Sequence, residues 1–155
     1  MKNTIFGLIV LLATSTQGFA MSLFDFAKVC LFSEVNGQVL LKGKPITDAT
    51  IKQTYYWGHK PISRTTQVDQ FGKFHFNPVY KYYLGQFFPI EAVVSQEISI
   101  IHDGKEFEGW ISTKRSFDEN SELNGKSIDL TCDLTDENSS KEVGYEIVLG
   151  ICRWK

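Results

Sequence analysis

Along most of the chain, apolar and polar residues alternate with a period of two. Val35, Gly37, Val39 and Leu41 oppose Asn36, Gln38 and Lys42, and Ile90, Ala92, Val94, Ile98 and Ile100 oppose Glu91, Ser95, Glu97 and Ser99. Successive side chains of a strand point to opposite faces, so this alternation predicts strands with one buried and one wet face. Strands are expected over residues 34–41, 49–57, 64–68, 73–77, 91–101, 106–113, 127–134 and 145–152. The tetrapeptide His102-Asp103-Gly104-Lys105 carries an Asp-Gly hairpin signal between two of them. Residues 22–31 are the one segment after the first twenty that reads as a short helix. Residues 116–126 and 135–143 lack sheet periodicity and read as exposed loops. The expected class is all-β.

Residues 37–76 add turn chemistry to this pattern: Gly37-Gln38-Val39, Gly43-Lys44-Pro45, Ala49-Thr50-Ile51, then Val68-Asp69-Gln70-Phe71-Gly72-Lys73-Phe74-His75-Phe76. Gly43 and Pro45 turn the chain once, and Asp69 to Gly72 turn it again before Phe74 and Phe76 point the same way. This spacing resembles the carboxypeptidase regulatory-like, or transthyretin-like, domain, with its Gly-x-Val, Gly-x-Pro, Ala-x-Val and Asp-x-x-Gly-x-Phe-x-Phe run. The resemblance implies a single Greek-key β-sandwich of about seven or eight strands, and it implies no activity, because the architecture hosts many functions. Transthyretin-like enzymes that hydrolyse 5-hydroxyisourate end in Tyr-Arg-Gly-Ser, whereas this chain ends Ile151-Cys152-Arg153-Trp154-Lys155. The run Leu130 to Leu134 and the Cys-Arg-Trp ending also resemble small exported bacterial proteins built around such a domain.

The first twenty residues set the expected compartment. Lys2 forms a short positive region, Ile5 to Ala13 an apolar one, and Gly18-Phe19-Ala20 places small residues for a cut after Ala20. A signal peptide over residues 1–20 predicts a periplasmic or secreted protein. The apolar stretch is shorter than the ~20 residues that cross a bilayer, so no membrane span is expected after cleavage. Met21 is an alternative start that would leave the chain in the cytosol. The organisation expected is a leader over 1–20, a lead-in over 21–32 and one β-sandwich domain over 33–155. Of 155 residues, 135 remain after the cut, with a net charge of −3 in place of −2. That acidity argues against a nucleic-acid partner, which needs a basic face to neutralise phosphates.

An oxidising compartment permits one disulfide among Cys30, Cys132 and Cys152. Cys132 shares a face with Ile128, Leu130 and Leu134, and Cys152 ends the last predicted strand. Cys132 with Cys152 is the preferred pairing, and Cys30 with Cys132 is the rival. A catalytic cysteine is the functional alternative, but no histidine lies near any of the three in sequence.

Candidate chemistry is sparse. His59, His75 and His102 lack the spacing of a zinc site, and independent surface histidines are expected. No nucleophile elbow, phosphate-binding glycine loop or dinucleotide fingerprint is present. No catalytic residue, metal or cofactor is therefore assigned. Aromatic residues form the one candidate binding surface: Tyr55, Tyr56 and Trp57 end one strand, and Tyr80, Tyr82, Tyr83, Phe87 and Phe88 crowd the connection that follows Phe76. Tyr and Trp offer large contact area with a polar tip. The alternative is that this connection folds back as a lid and buries its rings. The function expected is a non-catalytic exported protein that binds another protein in the bacterial envelope, an immunity or inhibitor role being its concrete form. A carbohydrate or small-ligand module using residues 80–88 is the alternative.

Overall fold

The computed structural model describes residues 27–87 and 91–154. The leader over 1–20, Met21, the first part of the lead-in, Phe88 and Ile90 lie outside the described residues. The strands are β1 (Lys28–Phe32), β2 (Val35–Leu41), β3 (Lys44–Pro45), β4 (Thr50–Trp57), β5 (Lys60–Gln67), β6 (Lys73–Phe76), β7 (Val79–Tyr82), β8 (Val94–His102), β9 (Lys105–Lys114), β10 (Ile128–Asp133), β11 (Ser139–Val143), β12 (Glu146–Gly150) and β13 (Arg153–Trp154). Short 3-10 turns cover Leu84–Phe87 and Ser121–Leu123.

Two larger sheets and a two-stranded one, β1-β7, enclose the core. One of the larger two runs β11-β12-β9-β8-β4-β5; the other runs β13-β10-β2-β3, with β6 also paired to β2. Neighbours are antiparallel except β10 and β2, which run parallel from Ile128 opposite Val35 to Asp133 opposite Leu40. The inward residues of both sheets meet in one cluster, with Val35, Val39, Phe74, Ile128, Leu130 and Cys132 from one side and Ile51, Tyr55, Ile98, Ile100 and Trp110 from the other. The fold is an all-β sandwich, and the period-two alternation that predicts it is the face-sorting the core displays. The Asp103-Gly104 hairpin joins β8 to β9, with both residues at positive φ (50° and 71°) as an Asp-Gly turn requires. Gly37 faces Phe74 across β2 and β6, and the Phe74 ring fills the space where a Cβ would stand.

Four segments differ from the pattern read along the chain. Residues 28–32 are strand β1, not helix: Val29, Leu31 and Phe32 are fully buried within the core, so the sandwich takes in the end of the lead-in. An unbroken apolar run has no period to tell helix from strand. Residues 79–82 are strand β7, paired with β1 from Tyr82 opposite Lys28 to Val79 opposite Phe32. Residues 139–143 are strand β11, an exposed edge whose hydrogen bonds to β12 hold polar residues in extended form. The predicted final strand breaks at Gly150 (φ 133°), where a side chain would strike the Gly109 carbonyl.

At that break the chain changes sheets. The N–H groups of Ile151 and Cys152 donate to Glu108 O and Gly109 O on β9, both at 3.0 Å, and β13 then pairs with β10. Cys132 on β10 is disulfide-bonded to Cys152 in this crossover, so the bond ties one sheet to the strand leaving the other. Cys30 is a free, buried thiol. Among the described residues, no helix is long and apolar enough to cross a membrane.

Candidate functional site

The candidate aromatic residues separate into core, support and surface. Tyr55 is a correction to the predicted surface: β4 alternation turns it inward, leaving it 6% exposed in the core. Its neighbour Tyr56 points outward and is 43% exposed. Trp57, Tyr83 and Phe117 form an edge-to-face trio with ring centroids 5.1, 5.6 and 5.7 Å apart. Of these three half-buried rings Tyr83 belongs to the connection after Phe76, and it packs against the core together with Trp57 of β4 and Phe117. Tyr82 and Leu84 stand beyond them, 69% and 71% exposed, and Val93 at the far side of the same connection is 54% exposed. Phe87 ends the 3-10 turn; its side chain, like the whole of Phe88, lies outside the described residues.

This rim is tied down from several directions. Ala27 O accepts from Tyr83 N–H at 2.7 Å, and Phe117 O accepts from Cys30 N–H at 3.0 Å. The Tyr80 hydroxyl donates to Glu119 Oε2 at 2.6 Å, which pushes its pKa up to about 12, because losing that proton would set two negative charges together. Lys28 Nζ sits 4.0 Å from the centroid of the Tyr80 ring.

Below the rim lies a buried polar cluster. Lys114 and Glu122 side chains are wholly buried and meet at 2.8 Å. Lys114 also donates to Asp118 O at 2.6 Å, while Glu122 accepts from Ser33 N–H (3.0 Å), Ser33 O–H (2.7 Å) and the Gln96 amide (2.9 Å). Burial pushes the Glu122 carboxyl up, but the Lys114 charge and these hydrogen bonds outweigh it and hold its pKa below the usual value. Asn120 N–H donates to Ser33 Oγ at 2.7 Å, so the cluster anchors the 116–123 segment to the end of β1. No local pattern announces this cluster, since Ser33, Gln96 and the Lys114–Glu122 pair come from three distant parts of the chain. A lone Lys or Glu in a turn-rich stretch looks like surface. The one legible sign was Gln96 on the apolar face of β8.

Cys30 Sγ lies 3.7 Å from Ser33 Oγ at the edge of this cluster. Burial pushes its thiol pKa up, with Lys114 opposing, and a buried protonated thiol is a poor nucleophile. The histidines occupy three places. His59 sits in the exposed β4–β5 turn. His75 is held between Asn36 Oδ1 and Asn77 Oδ1, both at 3.0 Å. Asp48 Oδ1 lies 3.3 Å from His102 Nδ1, and Asp103 Oδ2 lies 3.6 Å from Nε2. One ligand atom from each of Asp48, His102 and Asp103 lies within 4.8 Å of the other two, a spacing a metal ion could span.

Two other surfaces remain. On the outer face of the six-stranded sheet, Ile147 and Leu149 of β12 are 55% and 45% exposed beside the fully exposed Tyr145. Residues of β10, β2 and β6, with Thr66 and Gln67 of β5, line a polar groove of about 730 Å³.

A family described as Domain of unknown function (DUF6795) matches residues 35–137, and the chain belongs to it. No curated protein matches the chain. The matched span runs from the start of β2 to just past β10; it includes the whole connection from Phe76 to β8 and both partners of the buried ion pair.

Proposed function

We propose that this member of the DUF6795 family is a non-catalytic protein of the bacterial envelope that acts by binding another protein through the rim that carries Tyr82 and Leu84. The observation that carries this reading is the exposure of Tyr82 and Leu84 on a rigid base. Apolar side chains left in water beside a buried ion pair, an aromatic trio and a hydrogen-bonded strand pair form a pre-organised contact surface. Pre-organisation matters because ordering loose side chains at an interface costs about 0.5–1.5 kcal/mol each. The leader-like first twenty residues and the disulfide support export. Small size, net negative charge and an apolar centre favour an immunity or inhibitor role, in which the rim closes a basic site on a toxin or hydrolase. The positive-φ turns at Gly43 and Gly72 and the Phe74 ring over Gly37 support kinship with carboxypeptidase regulatory-like sandwiches.

The test is size-exclusion chromatography of the protein purified gently from the envelope of its native cell. The wild type is expected to elute in a complex larger than the free chain, and a Tyr82→Ser Leu84→Ser variant to elute alone. An Ile147→Ser Leu149→Ser variant, which removes the other exposed apolar row, is expected to keep the complex. The reverse pattern, or identical profiles for all three, overturns the assignment to the rim.

A further inference from the structure

The groove lined by β10, β2 and β6 and by Thr66 and Gln67 of the neighbouring β5 edge lies apart from the rim residues and carries a different chemistry. Its volume of about 730 Å³ falls in the ~300–1,000 Å³ range of small-ligand sites. Among the described residues, several of its polar side chains are held at one end and open at the other. The Gln38 amide donates from Nε2 to Phe71 O at 2.9 Å and leaves Oε1 free. The Gln67 amide donates from Nε2 to Thr50 Oγ1 at 2.8 Å and leaves Oε1 free. Asn36 Oδ1 is engaged by His75 at 3.0 Å, which leaves its Nδ2 donors open. Asp129 Oδ2 accepts from Ser127 Oγ at 3.1 Å, leaving Oδ1. Among the described residues, the Thr131 hydroxyl on the floor has no side-chain partner. Fixed planar amides and a carboxylate with one open end each offer donors and acceptors in defined directions at little ordering cost.

The turn that leads from Asp69 to Lys73 exposes one large ring next to these lining residues. Phe71 is 58% exposed in the turn between Asp69 and Lys73, both of which line the groove. That turn is rigid: Asp69 Oδ1 accepts from Phe71 N–H and Lys73 N–H, both at 2.8 Å, and Asp69 O accepts from Gly72 N–H at 2.9 Å. A large ring exposed on a fixed turn beside an open hydrogen-bonding floor suits a ligand that is polar around its edge and apolar on its face.

We infer that this groove binds a neutral saccharide, with ring hydroxyls on Asn36, Gln38, Gln67, Asp129 and Thr131 and one sugar face against Phe71. Sugar hydroxyls both donate and accept, which matches the mixture of open amide oxygens, amide N–H groups, hydroxyl and carboxylate. An anionic ligand fits poorly, because Asp69 and Asp129 face a single lysine, Lys73. An extended peptide fits poorly, because the floor offers hydrogen-bonding groups where alternate side chains would need apolar pockets.

The test is titration of the ¹⁵N-labelled full mature chain with hexose and N-acetylhexosamine oligosaccharides up to about 5 mM, an affinity range typical of weak sites. Shifts are expected in the side-chain amides of Asn36, Gln38 and Gln67 and in the Phe71 backbone, with Phe71→Ala weakening binding at least about tenfold. Tyr82→Ser is expected to leave saccharide binding unchanged, which separates this site from the rim. The inference is overturned if no oligosaccharide shifts these signals, if a mixed peptide pool shifts them and sugars do not, or if Phe71→Ala binds as well as wild type. Phe71 is a surface residue, so loss of binding in that variant is read against an unchanged amide spectrum elsewhere.

Discussion

Replacing Lys114 by methionine removes the positive half of a wholly buried ion pair while keeping most of the side-chain volume. Glu122 keeps three hydrogen bonds, from Ser33 N–H, Ser33 O–H and the Gln96 amide, but loses its counter-charge. Breaking a buried pair from one side costs about 3–5 kcal/mol, a large share of the 5–15 kcal/mol that holds a typical domain together. The pH dependence gives a sharper signature. In the wild type the Glu122 pKa is depressed below 4.5, so its contribution is present above the unfolded value and is lost as pH falls through the folded one. In Lys114→Met, burial acts without the opposing charge and raises the folded pKa above 4.5, so the variant gains stability relative to wild type as pH falls from 7 toward 5. Urea unfolding at several pH values measures both effects. Adding Glu122→Gln to Lys114→Met removes the orphaned charge and is expected to recover at least about 2 kcal/mol at pH 7. A Lys114→Met variant within about 1 kcal/mol of wild type at pH 7, with the same pH profile, would refute this account of the cluster.

Three further outcomes follow from the packing. Cys132→Ala with Cys152→Ala opens a link between residues 20 apart in sequence and is expected to lower the unfolding free energy by about 3 kcal/mol by denaturant titration. Gly37→Ala sets a methyl group into the Phe74 ring and is expected to destabilise by about 1–3 kcal/mol; Phe74→Leu in the same chain should return part of that loss, and additive losses would contradict the contact. Asp133 accepts from the Thr135 hydroxyl and N–H and from the Gly43 and Lys42 N–H groups, which hold its pKa down to about 2. Its contribution is present above the unfolded pKa and is lost as pH falls through the folded one, so Asp133→Asn should cost about 1 kcal/mol at pH 6, after discounting for solvent screening, and close to nothing near pH 2.

The sandwich was legible wherever one face of a strand is buried and the other wet, as in β2, β4, β8 and β9. Alternation failed where burial does not alternate. β1 is buried on both sides and reads as a plain apolar run, whereas β11 is exposed on both sides and reads as a polar loop. β7 has no apolar face of its own and is extended because β1 lies beside it, a partner no local pattern announces. The aromatic segment was legible as a feature but not in its division of labour. Alternation assigns Tyr55 to the core once the strand boundary is fixed, whereas Tyr83 and Trp57 are sorted from Tyr82 by contact with Phe117, which sits in a segment without sheet periodicity. The buried ion pair and the polar groove depend on residues brought together across strands, which spacing along one strand does not encode.

The most direct test of the account is site-specific photo-crosslinking in the native cell, with a benzophenone side chain placed at position 82 and, for comparison, at Ser140 on the β11 edge. The account predicts a discrete protein adduct in the envelope fraction from position 82 that the Leu84→Ser substitution abolishes, and no adduct from position 140. An adduct confined to cytosolic protein, one formed equally from both positions, or none from position 82 would contradict it.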